Sequence, residues 1–140
     1  MTSEERQEYG VKLKREMNCC QAVVRAFADT VPLDEASLMS LAAGFGAGMG
    51  TMDGTCGALV GAILVVGLRT QGTGTMALSR KMFPRFKELC GATICRDLKG
   101  VDTGKVICSC EDCVRNAVRT VEEACACRSL PETSARPSAT

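Results

Sequence analysis

The sequence predicts an all-α fold, a compact bundle of about five to six helices around a central helix rich in glycine and alanine. Apolar residues recur at helical spacing in most segments, and no two segments alternate as paired strands would. The most apolar segment, residues 56–69, is apolar on all sides, as expected of a buried helix. Hydrophobic residues make up 46% of the chain but aromatic residues only 4%, so aliphatic and small side chains must fill the core.

Two helices are predicted before residue 32. The first, residues 2–17, is polar and is expected to be a solvated helix that is interrupted or kinked at Gly10. The second, residues 19–31, begins after Asn18, whose side chain can cap the helix together with Gln21 three residues later.

The third and fourth helices are separated by a glycine-rich segment, residues 44–50. Asp34 is the predicted N-cap of the third helix. The fourth is the central helix, in which Gly57 and Gly61 lie four residues apart. Residues at this spacing share one helix face, so these glycines are predicted to let a neighbouring helix approach closely.

Three further helices are predicted in the C-terminal half: residues 76–89, 95–98 and 110–128. Pro84 is expected to kink or divide the first of these. Residues 1–128 are predicted to form a single helical, cysteine-rich redox domain, since this length can bury its own core. Residues 129–140 are rich in Ser, Thr and Pro and are predicted to form a disordered tail.

Charge and hydropathy argue against nucleic-acid binding and against a membrane protein. The net charge is +1 and no dense run of Lys or Arg is present. The longest apolar run, residues 56–68, is shorter than the roughly 20 residues that span a bilayer. The charged N-terminus is unlike a secretion signal, so we expect a cytoplasmic protein.

Ten cysteines and no histidine define the chemistry that is open to the chain. In a reducing compartment, clustered cysteines bind metal or do redox chemistry more often than they form structural disulfides, which are the alternative. Sites that need histidine are excluded. Sites made only of soft thiolates select iron–sulfur clusters, zinc or Cu(I).

Four cysteines lie at predicted helix starts: Cys19, Cys56, Cys95 and Cys110. Thr55 and Thr93 are predicted to cap the helices that contain Cys56 and Cys95. Unpaired N–H groups and the helix dipole favour a thiolate in the first turn. The four are therefore predicted to be the ligands of one redox or metal centre, whereas Cys20 lies on the apolar stripe of its helix and is predicted to be a buried filler.

The other cysteines have weaker signals. The motif Cys108-x-Cys110-x-x-Cys113 is typical of a local metal or redox site, in which Cys110 is favoured. Cys90 precedes Gly91 at a helix end and is expected to be structural. Cys125 and Cys127 lie near the end of the last helix and are not expected to take part.

The glycine-rich segment is a candidate cofactor-binding loop through Gly46, Gly48 and Gly50. It lacks the Gly-Lys-Ser/Thr ending of a phosphate-binding loop and follows no strand. Its glycines would let the backbone pass close to the centre, where N–H groups could donate hydrogen bonds to sulfur. A flexible or tightly packed connection is the alternative.

Taken together, the motifs resemble the C-GCAxxG-C-C family of redox-active proteins. The similarity covers most of residues 18–125 and lies in four stretches: residues 18–23, residues 44–50, residues 56–62, and residues 94–98 followed by Cys110. The chain departs from the family motif in one place, because Cys56 stands one residue earlier relative to Ala-x-x-Gly.

This family is similar to the iron–sulfur part of split-Soret cytochromes, in which a helical domain holds a [2Fe–2S] cluster. The resemblance implies a [2Fe–2S] cluster on Cys19, Cys56, Cys95 and Cys110, and an electron-transfer or redox-sensing protein with a redox partner protein that the sequence does not identify. The chain has no haem-attachment motif. The Gly/Ala-rich central helix also leaves a homodimer open.

Two other functions fit the residues. One is a cluster-free thiol–disulfide oxidoreductase that uses Cys110-x-x-Cys113, and the other is a helical module with a structural four-cysteine zinc site. No acid/base pair stands out, so the sequence favours a carrier or sensor and leaves enzyme activity open.

Overall fold

Helices form nearly all the regular structure in residues 1–127, the part of the chain that the computed structural model describes. The all-α prediction is confirmed. The α-helices are α1 (Ser3–Lys14), α2 (Cys19–Ala26), α3 (Glu35–Ala42), α4 (Gly57–Thr70), α5 (Thr75–Cys90), α6 (Cys95–Lys99) and α7 (Cys110–Cys127). The predicted tail, residues 129–140, lies outside the described residues. None of the helices in residues 1–127 is long and apolar enough to span a membrane.

Helix α4 is the centre of the bundle, as the sequence predicts, and packs against α2, α5 and α7. Leu59 and Val66 are among its fully buried side chains. Gly61 allows α2 to approach, because a Cβ atom at Gly61 would lie 2.9 Å from the carbonyl oxygen of Cys20 and 3.1 Å from the Cβ of Val23. The prediction that glycines of the central helix permit close packing is therefore confirmed.

Helix α1 differs from the sequence prediction, because it is neither solvated on all sides nor interrupted at Gly10. It packs against α7 and α2 and buries Val11 and Leu13. A Cβ atom at Gly10 would lie 2.9 Å from Cγ1 of Val114 in α7. Gly10 is thus a packing position, which the charged surroundings of this glycine conceal in the sequence.

Arg6 joins α1 to the end of α2. Its guanidinium donates to the carbonyl oxygen of Ala26 at 2.6 Å and to both carboxylate oxygens of Asp29 at 2.7 and 3.2 Å, and it lies 4.9 Å from the ring centroid of Phe27. Helix α2 accordingly ends at Ala26, not at residue 31, and a 3₁₀ turn follows.

Pro84 lies inside α5 without dividing it. The helix runs unbroken from Thr75 to Cys90 and buries Leu78 and Phe86 on one face. The helix predicted at residues 76–89 is confirmed, whereas its division at Pro84 is wrong.

Two helical glycines provide a matched test of close packing. Replacing Gly by Ala in a helix interior is worth up to about 1 kcal/mol of stability. Gly67→Ala should gain this, because the nearest atom to a Cβ there is Cγ2 of Thr75 at 3.8 Å. Gly10→Ala should be less stable than Gly67→Ala by about 1–3 kcal/mol, the usual effect of overpacking. Urea unfolding followed by circular dichroism measures both, and equal stabilities would contradict the packing assigned to Gly10.

Candidate metal centre

A cavity of about 170 Å³ lies where the first residues of α2, α4, α6 and α7 meet. Its lining includes five cysteines, namely Cys19, Cys56, Cys95, Cys110 and Cys113, and two lysines, Lys14 and Lys99. The structure therefore brings the four predicted ligands to one cavity, and it adds a fifth thiol.

Cys19 is the first residue of α2. Asn18 caps this helix, accepting from the amide of Gln21 at 2.9 Å while the Gln21 side chain accepts from the amide of Asn18. Gly57 leaves room for the thiol, because a Cβ atom there would lie 2.6 Å from Sγ of Cys19. Cys20 is fully buried in the core and is not part of the cavity lining.

Cys56 and Cys95 are set side by side by backbone pairing. Thr55 and Ile94 form an isolated antiparallel bridge, and the amide of Cys56 donates to the carbonyl oxygen of Thr93 at 2.7 Å. Two residues of extended chain thus align the starts of α4 and α6.

Because of this pairing, the predicted N-caps Thr55 and Thr93 do not form. Cys56 itself is the N-cap of α4 and Ile94 is the N-cap of α6, and neither makes a side-chain capping hydrogen bond. Thr55 and Thr93 are not N-caps, because their backbones are engaged in the bridge between the two segments.

The glycine-rich segment passes directly over Cys95. Gly48 has φ of +59°, and a Cβ atom on it would lie 2.7 Å from the Cβ of Cys95. A Cβ atom on Gly46 would lie 2.4 Å from the Cβ of Asn18. Both residues therefore sit at places where any side chain would collide with the elements that carry the cysteines.

The other positions of the segment have different roles. The hydrogen bond to Cys56 and burial raise the pKa of the Cys19 thiol, and the backbone N–H of Ala47 partly offsets this rise. Gly50 has φ of +75°, and a Cβ atom placed on it would have no other group within 4 Å. A side chain at Gly50 would therefore not collide with the elements that carry the cysteines. The backbone amide of this segment that acts on Cys19 thus belongs to an alanine and not to one of the three glycines.

Cys110 and Cys113 both belong to the first turn of α7. Ser109 caps the helix by accepting from the amide of Asp112 at 3.1 Å. Cys110 is half-buried, whereas Cys113 is fully buried. Because the two lie three residues apart on one helix face, both reach the cavity.

Cys113 also belongs to a second group of thiols. The sulfur atoms of Cys90, Cys108 and Cys113 lie within 4.8 Å of one another, close enough to hold a metal ion. Cys90 was expected to be structural, and its position at the end of α5 gives no local signal of this contact. It is brought there by the packing of α5 on α7.

Contacts between thiols and their burial hold these groups in the protonated form. The pKa of the Cys56 thiol is raised to about 12, first by its hydrogen bond to Cys113 and then by burial. The hydrogen bond to Cys56, together with burial, raises the pKa of Cys19 well above its usual range. Burial is the main cause that raises the pKa of Cys95 and takes that of Cys20 to about 12.

Lys99 brings a positive charge next to the sulfur of Cys113. Its Nζ donates to the carbonyl oxygen of Cys108 at 3.0 Å and lies 3.6 Å from Sγ of Cys113. Burial opposes the charged form, but the attraction of Cys113, Cys110 and Cys56 outweighs it and raises the pKa of the Lys99 ammonium. Lys99 can therefore balance negative charge on sulfur, and no motif in the sequence points to this role.

Comparison with known proteins gives one match. A family model described as "Putative redox-active protein (C_GCAxxG_C_C)" matches residues 17–124, which include the whole cavity apart from Lys14. No curated protein and no solved structure matches the chain.

The raised thiol pKa values predict that alkaline pH destabilises the metal-free, reduced chain. Above about pH 8.5 the unfolded chain loses thiol protons that the folded chain keeps, so the free energy of unfolding falls with rising pH. Urea unfolding between about pH 8 and 10.5 measures this. Cys20→Ala removes one buried thiol outside the cavity and should make the fall shallower, whereas an unchanged slope would contradict the assigned burial effect.

The contact of Gly48 with Cys95 can be tested against Gly50. Both residues have positive φ, so alanine at either should cost about 1 kcal/mol in backbone strain. Gly48→Ala should cost more, because its Cβ collides with Cys95, and it should speed alkylation of the Cys95 thiol. Unfolding and iodoacetamide labelling located by mass spectrometry measure both effects, and identical behaviour of the two variants would show that the contact does not matter.

Proposed function

The chain belongs to the C-GCAxxG-C-C family, and from this premise we propose that it is a redox-active protein that carries an iron–sulfur cluster. The proposed ligands are Cys19, Cys56, Cys95 and Cys110, and the proposed role is electron transfer or redox sensing. The observation that supports it most is that all four thiols line one cavity, although they come from four separate helices.

The donor set and the charges of the cavity fit such a cluster. The cavity offers thiols as its metal-binding groups, and its volume is well above the roughly 15 Å³ that a single water needs. Four thiolates around an oxidised two-iron, two-sulfide core of charge +2 leave a net charge of −2. Lys14 and Lys99 also line the cavity, and their positive charges can balance this charge.

The cluster would supply one-electron transfer, and the surrounding residues would adjust its energetics. The Lys99 ammonium and the Ala47 amide both favour negative charge on the sulfurs, and so favour the reduced state. Cys110 is the most exposed of the four ligands. The electron is therefore expected to enter and leave on the side of Cys110.

The spacing of the four sulfurs favours a cluster over a single zinc ion. Around tetrahedral zinc with bonds of about 2.3 Å, ligand sulfurs lie about 3.8 Å apart. Among residues 1–127, no three of the four proposed ligands gather within 4.8 Å of one another. A core of several atoms holds its ligands further apart, around a space such as this cavity.

Cluster-free thiol–disulfide chemistry is the second candidate. It is favoured by the closeness of Cys90, Cys108 and Cys113, whose sulfur atoms lie within 4.8 Å of one another. Under this alternative the purified protein would be colourless, and thiol titration would count two fewer free thiols after oxidation than under reductant.

Substitution of single ligands tests the cluster. Cys56→Ser and Cys110→Ser should each reduce retained iron and sulfide, with the visible absorption, at least about tenfold, because even outer partners of metal ligands are worth about 10–100-fold in affinity. Anaerobic purification, iron and sulfide analysis, and absorption spectra before and after dithionite measure this.

Two thiols outside the cavity lining serve as matched controls. Cys20→Ala and Cys125→Ser each remove one cysteine without changing the cavity lining, so both should keep the wild-type iron content. A full, stable cluster in Cys56→Ser would contradict the assignment of Cys56 as a ligand. Equal loss in ligand and control variants would mean that folding, not ligation, had been changed.

A further inference from the structure

The group formed by Cys90, Cys108 and Cys113, here called the thiol triad, adjoins the cluster cavity and shares Cys113 with its lining. Cys90 and Cys108 are not part of the cavity lining, and only Cys113 reaches both places. The three residues come from the end of α5, from the loop before α7 and from α7 itself. Their exposed fractions are 4%, 8% and 0%, so the triad is shielded from water.

From this geometry we infer that the thiol triad is a second metal site, which binds one soft monovalent cation of the Cu(I) class. With metal–sulfur bonds of about 2.3 Å, three sulfurs in a trigonal arrangement lie about 4 Å apart. The triad sulfurs already lie within 4.8 Å of one another, so binding needs only a small contraction.

The donor set selects the class of metal. Within the described residues the triad gathers three sulfurs, with no carboxylate in the group, and the chain has no histidine. Magnesium and calcium require oxygen ligands, so they are excluded. Structural zinc is almost always four-coordinate, and in the part of the chain that the structure describes no fourth ligand atom joins the three sulfurs within 4.8 Å. Cu(I) prefers soft sulfur ligands and is satisfied by two or three of them.

N–H donors already surround the triad as they would surround thiolate ligands. Nδ2 of Asn116 donates to Sγ of Cys90 at 3.2 Å, and Nζ of Lys99 lies 3.6 Å from Sγ of Cys113. Lys99 also fixes Cys108 through its carbonyl oxygen at 3.0 Å. A cysteine that only fills an apolar core needs no such partners, whereas metal-bound sulfur is stabilised and oriented by them.

Cu(I) provides the direct test of the triad. The probe is Cu(I) offered to the anaerobically purified, reduced protein from a colorimetric chelator that competes for it. Wild type should retain one equivalent per chain, and copper-edge X-ray absorption should give sulfur ligands alone, three in number. Cys90→Ser and Cys108→Ser should each lower the affinity by more than about 100-fold, since they remove a direct ligand.

Two further variants guard against simple misfolding. Asn116→Ala keeps all three thiols and should lower the Cu(I) affinity about tenfold, the effect of losing an outer hydrogen bond. Cys125→Ser, which changes a half-buried thiol on the same helix, should leave it unchanged. Equal affinity in wild type and Cys90→Ser overturns the inference. So does a preference of the triad for Zn(II), or a disulfide within it in the anaerobic protein.

The two metal sites can fail separately. Iron and sulfide content, lost in Cys110→Ser but kept in Cys90→Ser, reports on the cavity, whereas retained Cu(I) reports on the triad. A protein without iron that still binds Cu(I) through Cys90 and Cys108 refutes the proposed cluster and supports the triad. A protein with an intact cluster and no retained Cu(I) supports the proposed cluster and refutes the triad as a Cu(I) site.

Discussion

The close crossing of α2 and α4 is the constraint on which the rest of the structure depends. A Cβ atom at Gly61 would meet the carbonyl oxygen of Cys20 at 2.9 Å, and one at Gly57 would meet both Sγ of Cys19 and the carbonyl oxygen of Phe45 at 2.6 Å. Two glycines one turn apart thus set the distance between the helices, and this distance places the first residue of α2 beside the N-cap of α4. The cavity exists because these backbones touch, since larger side chains would push the helix starts apart.

Burial raises the pKa values of several thiols, and this would allow the chain to be stable without a cation and also to bind the one proposed. A protonated thiol behaves as a small apolar group and costs little to bury. Ionising several neighbouring thiols in the same place would be costly unless a cation arrives at once. The metal-free protein can therefore keep Cys19 and Cys56 neutral, as their raised pKa values indicate, and would exchange protons for metal charge.

The sequence predicted the parts of the fold that have local causes, and it missed the parts that depend on distant contacts. The N-caps Asn18 and Asp34 depend only on a side chain and the first turn of the helix that follows it, and both are confirmed. The pairing of Thr55 with Ile94 joins segments far apart in the chain, so local propensity favoured two threonine caps that do not form. In the same way, helix-start positions in the sequence indicate the four cysteines of the cavity, whereas the contact of Cys90 with Cys113 arises only when α5 packs on α7.

Lys99 lines the cavity and also contacts two residues of the thiol triad, so a change at Lys99 would affect both groups. Its ammonium group lies on the cavity wall, contacts Sγ of Cys113 and holds the carbonyl group of Cys108. Removing the charge of Lys99 would destabilise thiolates in the cavity and in the triad together. An effect of a Lys99 variant therefore cannot be assigned to one of the two groups. Cys110 lines the cavity but is not in the triad, whereas Cys90 is in the triad but does not line the cavity. Substitutions at these two cysteines can therefore separate a multi-atom centre from a single-ion site in a chain where ten thiols could otherwise obscure both.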